Sequence, residues 1–429
     1  MKKTFAALAA AALAASVAAP AMADLVVPNL SYRTGPYAPG GIPYADGFND
    51  YFTLLNERDG GIGGEKVQVP ECETAYNTEK GVECYEATKG SGALVYNPLS
   101  TGITYQLIPK VAADGIPLYT PGYGRTSAAN GKVFEWVFNY PANYWDAASV
   151  AVKYLLDENG GDLSGKKIAL VYHNSAYGKE PIRTLTELSK KHGFTLVEVP
   201  VDHPGQEQKS QWLQIRRDKP DYVLMWGWGV MNAVAIQEAA NINFPMENFI
   251  GVWWSGSEND VTPAGDGANG YKSLAMHGTG SDYPVYADLK KYVHDAGKAS
   301  GAGDQVGSVL YSRGMYAAMV ISEAIRKAQE IHGTAAVNAA QVRDGFEALE
   351  ITEARMVELG LPNFGQPFAA SCTDHGGPGA ALIQQWDASA KKWNLLTGFI
   401  APDDEVLTPL VMEDSAAFAA ENNIAERCN

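Results

Sequence analysis

Ser100, Thr101 and Gly102 stand in a row at the start of a stretch with helical periodicity. Two hydroxyls and the free backbone N–H groups of a helix N-terminus are a ready acceptor for a carboxylate; Ser and Thr also serve as plain N-caps. A second group is aromatic: Tyr177, Trp226, Trp228, Trp253 and Trp254, which include four of the nine Trp of the chain. Rings so close together in sequence wall a pocket, and they attract a quaternary ammonium by roughly 0.5–2 kcal/mol per contact. Gly122 and Gly124, flanking Tyr123, let a ligand approach the backbone closely or make a turn. Arg125 beside them is read as a surface ion pair.

Motifs for bond-breaking chemistry are missing. There is no Gly-x-Ser-x-Gly elbow, no His-Glu-x-x-His and no Cys-x-x-Cys, and the seven His are dispersed. The stretch from Gly160 to Lys166 nearly matches a phosphate-binding loop, but Lys167 replaces the required Ser or Thr, and the stretch precedes a strand where a phosphate loop follows one. Gly227-Trp228-Gly229 follows a strand, yet the third glycine of a dinucleotide fingerprint is Asn232, and Trp228 blocks close approach to a pyrophosphate. A hydrolase reading would need Ser100 beside a His, and His173 is the nearest candidate. No cofactor and no metal are expected.

These residues all fall at the ends of predicted strands. Strands over Leu25–Leu30, Lys66–Val69, Ala93–Tyr96 and Pro117–Thr120 alternate with helices over Gly40–Asn56, Thr78–Lys89 and Gly102–Ala113. The pattern then restarts: helix Tyr144–Glu158, strand Lys167–Tyr172, helix Lys179–His192, strand Thr195–Val201, helix Gln208–Arg217, strand Tyr222–Trp226, helix Asn232–Ala240 and strand Phe249–Trp254. Strand–helix alternation implies parallel sheets covered by helices. After Gly270, helices dominate (Tyr286–Ala296, Val309–His332, Ala340–Leu349), followed by strands Ala380–Trp386 and Trp393–Phe399. Such an α/β chain forms two interleaved lobes with a cleft between them. Ligands of open parallel sheets bind beyond the carboxyl ends of the strands. There the chain places Tyr37, Ser100, Thr101, Gly122, Tyr123, Gly124, Tyr177, Trp226, Trp228, Trp253, Trp254 and Glu258.

Residues 1–23 read as a secretory signal: Lys2 and Lys3, an apolar run from Phe5 to Ala19, and cleavage after Ala23. Loss of the two lysines takes the formal charge from −16 to −18. An acidic chain without a basic run excludes nucleic acid as a partner. Cys72, Cys84, Cys372 and Cys428 allow three pairings. Cys72–Cys84 with Cys372–Cys428 is expected, because Cys72 and Cys84 flank one short segment, the other two lie near the C-terminus, and export permits disulfides.

An ordered set of short signposts runs through nearly the whole mature chain: Gly35-Pro36; Asn56 with Gly60-Gly61-Ile62-Gly63-Gly64; Asn97 with Ser100-Thr101; Gly115-Ile116-Pro117; Gly165-Lys166-Lys167-Ile168-Ala169; and Tyr177-Gly178. In these the chain resembles the leucine/isoleucine/valine-binding protein family of periplasmic receptors for ABC importers. The resemblance implies a type I periplasmic binding protein: two doubly wound parallel-sheet lobes joined by a three-crossover hinge. It implies residues 24–142 and 277–378 in the N-terminal lobe, 143–276 and 379–405 in the C-terminal lobe, and a tail from 406. It further implies a periplasmic monomer, no enzyme, that traps a small solute, an amino acid by default, and passes it to a membrane permease. Carried over residue by residue, Ser100 or Thr101 and the backbone near Gly122 and Gly124 hold a carboxylate, and Tyr177 closes from the other lobe. Two departures stand out. Gly124 occupies a position the family fills with a hydroxyl residue, and Trp253 stands near where it places the acid that binds an ammonium. Glu258 or Asp260 is the substitute on offer. An aromatic acid or a quaternary ammonium compound suits such a pocket as well. A secreted α/β hydrolase is the rival class; a sensory domain is a third.

Overall fold

Each half of the molecule is built on a sheet whose strand order reverses once, and the two reversals face each other. The computed structural model describes residues 24–428; the signal reading for residues 1–23 falls outside them. In the first half, Leu25–Val26 and Asn29–Ser31 run parallel to Val67–Gln68 and Glu71–Glu73 on one side. On the other side they meet Ala93 and Asn97 through parallel bridges. Tyr96 then bridges Leu118, and Leu118–Tyr119 pairs with Val137–Phe138, all parallel. Pro28 and Pro70, which lack an N–H for the ladder, split the first two strands into short pieces.

The second sheet has seven strands, in the spatial order Lys392–Leu395, Leu382–Asp387, Lys272–Ala275, Phe249–Gly251, Tyr222–Trp226, Lys167–His173, Thr195–Val201. The last five are mutually parallel, and the first two form an antiparallel hairpin at the edge. Val-, Ile- and Leu-rich strands buried on both faces explain the near-continuous apolar run Ile168–Val171.

The chain crosses between the halves three times. It leaves strand Val137–Phe138 for helix Tyr144–Glu158, which packs on helix Ala176–His192 beside the second sheet. It returns after Lys272–Ala275 to helix Pro284–Leu289, packed on helix Ala38–Leu54. It crosses again between Phe368–Ala369 and Leu382–Asp387. Helices Ala38–Leu54 and Val309–His332 pack closely because Gly47 and Gly314 sit at their contact. A β-carbon would lie 2.0 Å from the Tyr311 carbonyl oxygen in the first case, and 1.9 Å from that of Tyr44 in the second. That contact brings Tyr44 and Arg313 together beneath the cleft.

Three features differ from the sequence expectation. Strand Lys272–Ala275 lies where the sequence predicts little strand. The predicted strand to Trp254 stops at Gly251, and Trp253–Ser255 form a tight helical turn. The expected tail from residue 406 is part of helix Asp404–Asn422, which buries few apolar residues and contains Pro409, so its periodicity is weak. This helix lies across both halves: Asp414 pairs with Arg125, and Glu413 with Arg183. Phe418 stacks on Phe134 at 4.6 Å.

Both expected disulfides are present, Cys72–Cys84 and Cys372–Cys428. The first ties strand Glu71–Glu73 to helix Thr78–Thr88 and so holds the loop between them. The second anchors the end of the chain.

Candidate functional site

The carboxyl ends of both sheets meet at a small, partly open cavity. Its empty space is about 220 Å³, of which about 10 Å³ admits the centre of a water-sized sphere, room for about one water molecule. Ser100, Thr101, Tyr123, Tyr177, Trp228 and Trp254 line it, all expected from sequence. Tyr76, Leu99 and Tyr144 complete the lining. Six of the nine lining residues are aromatic and none is charged.

Ser100 caps helix Thr101–Asp114, its Oγ accepting from the Ile103 N–H at 3.3 Å. Thr101 Oγ1 accepts from the Gly124 N–H at 3.2 Å and lies 3.3 Å from the Tyr144 hydroxyl. The positive end of this 14-residue helix therefore points its first turn at the cavity. Tyr123 accepts from the Leu99 N–H at 2.9 Å and donates to Asn97 Oδ1 at 2.8 Å. From the opposite side, Tyr177 donates to the Gly227 carbonyl at 2.9 Å, linking the two strand ends that flank the reversal of the second sheet. Burial pushes the hydroxyls of Tyr123, Tyr144 and Tyr177 well above the usual phenol range. They remain neutral donors at any physiological pH.

Indole groups tie the halves to each other. Trp253 and Trp254 both donate to the Gly122 carbonyl, at 2.8 and 2.7 Å. Gly122 has φ of +75°, and a β-carbon there would fall 2.7 Å from Met276 Sδ and 2.8 Å from Trp253 Nε1. Trp228 donates to the Tyr32 hydroxyl at 3.1 Å and lies edge-on to Trp254. Its ring also packs on Gly40, where a β-carbon would come within 2.5 Å.

Other expected residues lie outside the lining. Trp226 and Trp253 are fully buried in the core behind it. Gly122 and Gly124 shape the backbone, and Tyr37 bonds His173 at 2.7 Å. Glu258 Oε2 accepts from the Val309 N–H at 3.1 Å. Asp260 caps its own helix at Ser257 and accepts from Asn232; burial pushes its carboxyl up to about 6. Neither acid reaches the cavity. His173, the hydrolase candidate, is engaged by Tyr37 and by Ser175 at 2.7 Å, and Ser100 by Ile103. Among the described residues no cluster of His, Cys, Asp and Glu suits a metal ion.

A family model described as a periplasmic binding protein matches residues 25–392. The chain belongs to the periplasmic binding protein family. This periplasmic binding protein is 42% identical to a solved structure from the Pseudomonas fluorescens group described as an ABC transporter permease; the match covers 95% of this chain and 99% of that one, with a TM-score of 0.87. A branched-chain amino acid ABC transporter protein from Thermus thermophilus with bound valine shares the fold at 19% identity, with a TM-score of 0.76 over 90% of this chain and 99% of that one. Among curated proteins, Leu/Ile/Val-binding protein homolog 3 of Brucella melitensis is 27% identical over 195 residues, 45% of this chain. The match spans about half (51%) of that relative's length.

The missed lining residues have traceable causes. Tyr76 follows strand Glu71–Glu73, but Pro70 ends the predicted strand at Val69 and hides its true carboxyl end. Tyr144 is the first residue of a helix on a crossing segment, so no strand end points to it. Leu99 has φ of +44°, a conformation that the Pro-Leu-Ser sequence does not announce.

Proposed function

We propose that this protein captures a small carboxylate-bearing solute between its two lobes outside the cytoplasm and delivers it to the permease of an ABC importer. The lobes are taken as residues 24–142 with 277–378, and 143–276 with 379–405. The observation that carries the reading is the small cavity at the facing strand ends, walled by Tyr123, Tyr144, Tyr177, Trp228 and Trp254, with the hydroxyls of Ser100 and Thr101 in its lining. The helix N-terminus at Ser100 favours the acid, and the rings bury the body of the solute. The Thermus protein that shares the fold carries bound valine, itself a compact acid. Closure sequesters the solute, driven by its better contacts in the closed form than in the open one.

The family supports a binding role, and the engagement of Ser100 and His173 elsewhere gives hydrolysis no assembled nucleophile. A thermal-shift series of amino acids, aliphatic and aromatic acids and betaines tests the reading. A ligand near saturation raises Tm by linkage. Shifts confined to betaines would remove the carboxylate at Ser100, and turnover of any bound compound would remove the capture role.

A further inference from the structure

Arg313 is 1% exposed, among the largest fully buried side chains. Its guanidinium lies over the Trp254 ring, 4.8 Å from the ring centre. Nη1 donates to the Trp253 carbonyl, and Nε approaches His277 Nε2 at 3.4 Å. His277 Nδ1 sits 2.8 Å from the Gly278 carbonyl and so carries the ring proton, leaving Nε2 as an acceptor. Burial keeps this imidazole neutral, pulling it down to about 3. Every partner of the guanidinium is thus uncharged, and Nη2 has no hydrogen-bond partner among the described residues.

A buried cation without a directly bonded counter-charge is costly in a low dielectric. The nearest acids, Glu258 and Asp260, attract it through space, but their hydrogen bonds come from the Val309 N–H and from Ser257 and Asn232 and not from the guanidinium. A second buried donor shares this lack. Asn97 Oδ1 accepts from both Tyr44 and Tyr123, while Asn97 Nδ2 has no partner among the described residues. Behind each of two cavity rings therefore stands a donor without an acceptor: Arg313 behind Trp254, and Asn97 behind Tyr123.

We propose that Arg313 is the charge-selecting residue of the cleft, and that the solute it selects is an organic anion carrying no ammonium group. The inference rests on the capture reading above. Positive potential from Arg313 reaches the cavity across one indole ring, and the helix N-terminus at Ser100 adds to it. An anion in the cavity adds a negative charge beyond the Trp254 ring to a guanidinium whose own hydrogen bonds go only to uncharged groups. An α-ammonium would meet a cation and no carboxylate. A quaternary ammonium on Trp254 would share the ring with a guanidinium already seated there, which weakens the attraction a free indole offers.

Calorimetric binding of matched probes tests the assignment: isovalerate against isovaleramide and leucine, and benzoate against benzamide. The wild-type protein is expected to bind the acids about tenfold or more tighter than the amides of the same shape, and tighter than leucine. Arg313→Met should cut the acid-to-amide ratio several-fold, leaving the smaller preference that the helix N-terminus at Ser100 supplies, and Arg313→Lys should keep it, which a purely structural arginine would not do. An undiminished ratio in Arg313→Met, or tighter wild-type binding of leucine or an amide, overturns the charge assignment and leaves the capture reading standing. Failure of every probe to bind the wild-type protein counts against the capture reading as well. Should Arg313→Met not fold, Arg313→Lys and the wild-type ratios decide.

Discussion

Tyr37 Oη lies 2.7 Å from His173 Nε2, joining the two lobes across the cleft. His173 is fixed on its other nitrogen by Ser175 and stacks on His203 at 5.0 Å. Tyr37→Phe leaves a buried ring nitrogen unpaired in the closed form, a cost of about 1–3 kcal/mol. Solute affinity should fall roughly tenfold, read by calorimetry as a raised Kd with little change in Tm of the ligand-free protein.

Burial first, and then His203, pull His173 from 6.5 down to about 4. Opening the cleft to water returns it toward 6.5. Its lowered value in the closed form means that closure is fully favoured above pH 6.5 and loses ground as pH falls from there toward 4. Affinity should drop about tenfold between pH 6.5 and pH 5.

Glu180 works in the opposite sense. Half-buried between the lobes, it accepts from Tyr105 and from Thr126, and desolvation pushes it from 4.5 up to about 7. A raised carboxyl penalises the closed form above pH 4.5, most fully above 7. Glu180→Gln should tighten binding several-fold at pH 8 and make the loss of affinity on acidification steeper. An unchanged pH profile would place Glu180 outside the closing interface.

Trp254 and Trp226 separate binding from folding. Trp254→Ala removes a cavity wall and the bond to Gly122, and should weaken the solute about a hundredfold, in line with losses of about 2–4 kcal/mol for truncated aromatic anchors. Trp226→Phe touches only the core, where its indole N–H has no partner among the described residues. It should lower stability by about 1–2 kcal/mol and leave Kd unchanged.

Gly122→Ala tests the backbone. Its left-handed φ and the 2.7 Å approach to Met276 leave no room for a methyl group. The variant should stay folded with a lowered Tm and fail to close on any probe, seen as loss of the ligand-induced shift.

The regular elements were legible wherever the apolar periodicity is strong. Helices Tyr144–Glu158 and Val309–His332 and strands Thr195–Val201 and Tyr222–Trp226 end where the periodicity ends. Parallel strands hide their ends when proline interrupts them, as at Pro70, and with them went Tyr76. Of the Trp group, the sequence places all four near strand ends but cannot say which ring turns inward. That choice is made by the tight turn at Trp253–Ser255, which sends Trp254 to the cavity and Trp253 to the core. Arg313 was invisible for a different reason. It sits in a long apolar helix that reads as simple packing, and its meaning comes only from the indole it touches across the fold.

Helix Asp404–Asn422 gives the receptor a dependence its cavity alone would lack. Consecutive residues, Glu413 and Asp414, grip Arg183 on one lobe and Arg125 on the other, so a motion that separates the lobes at this point must stretch or break one of these ion pairs. Those pairs are partly exposed to solvent, and dissolved electrolyte weakens them. Release of the solute is therefore expected to quicken modestly as ionic strength rises.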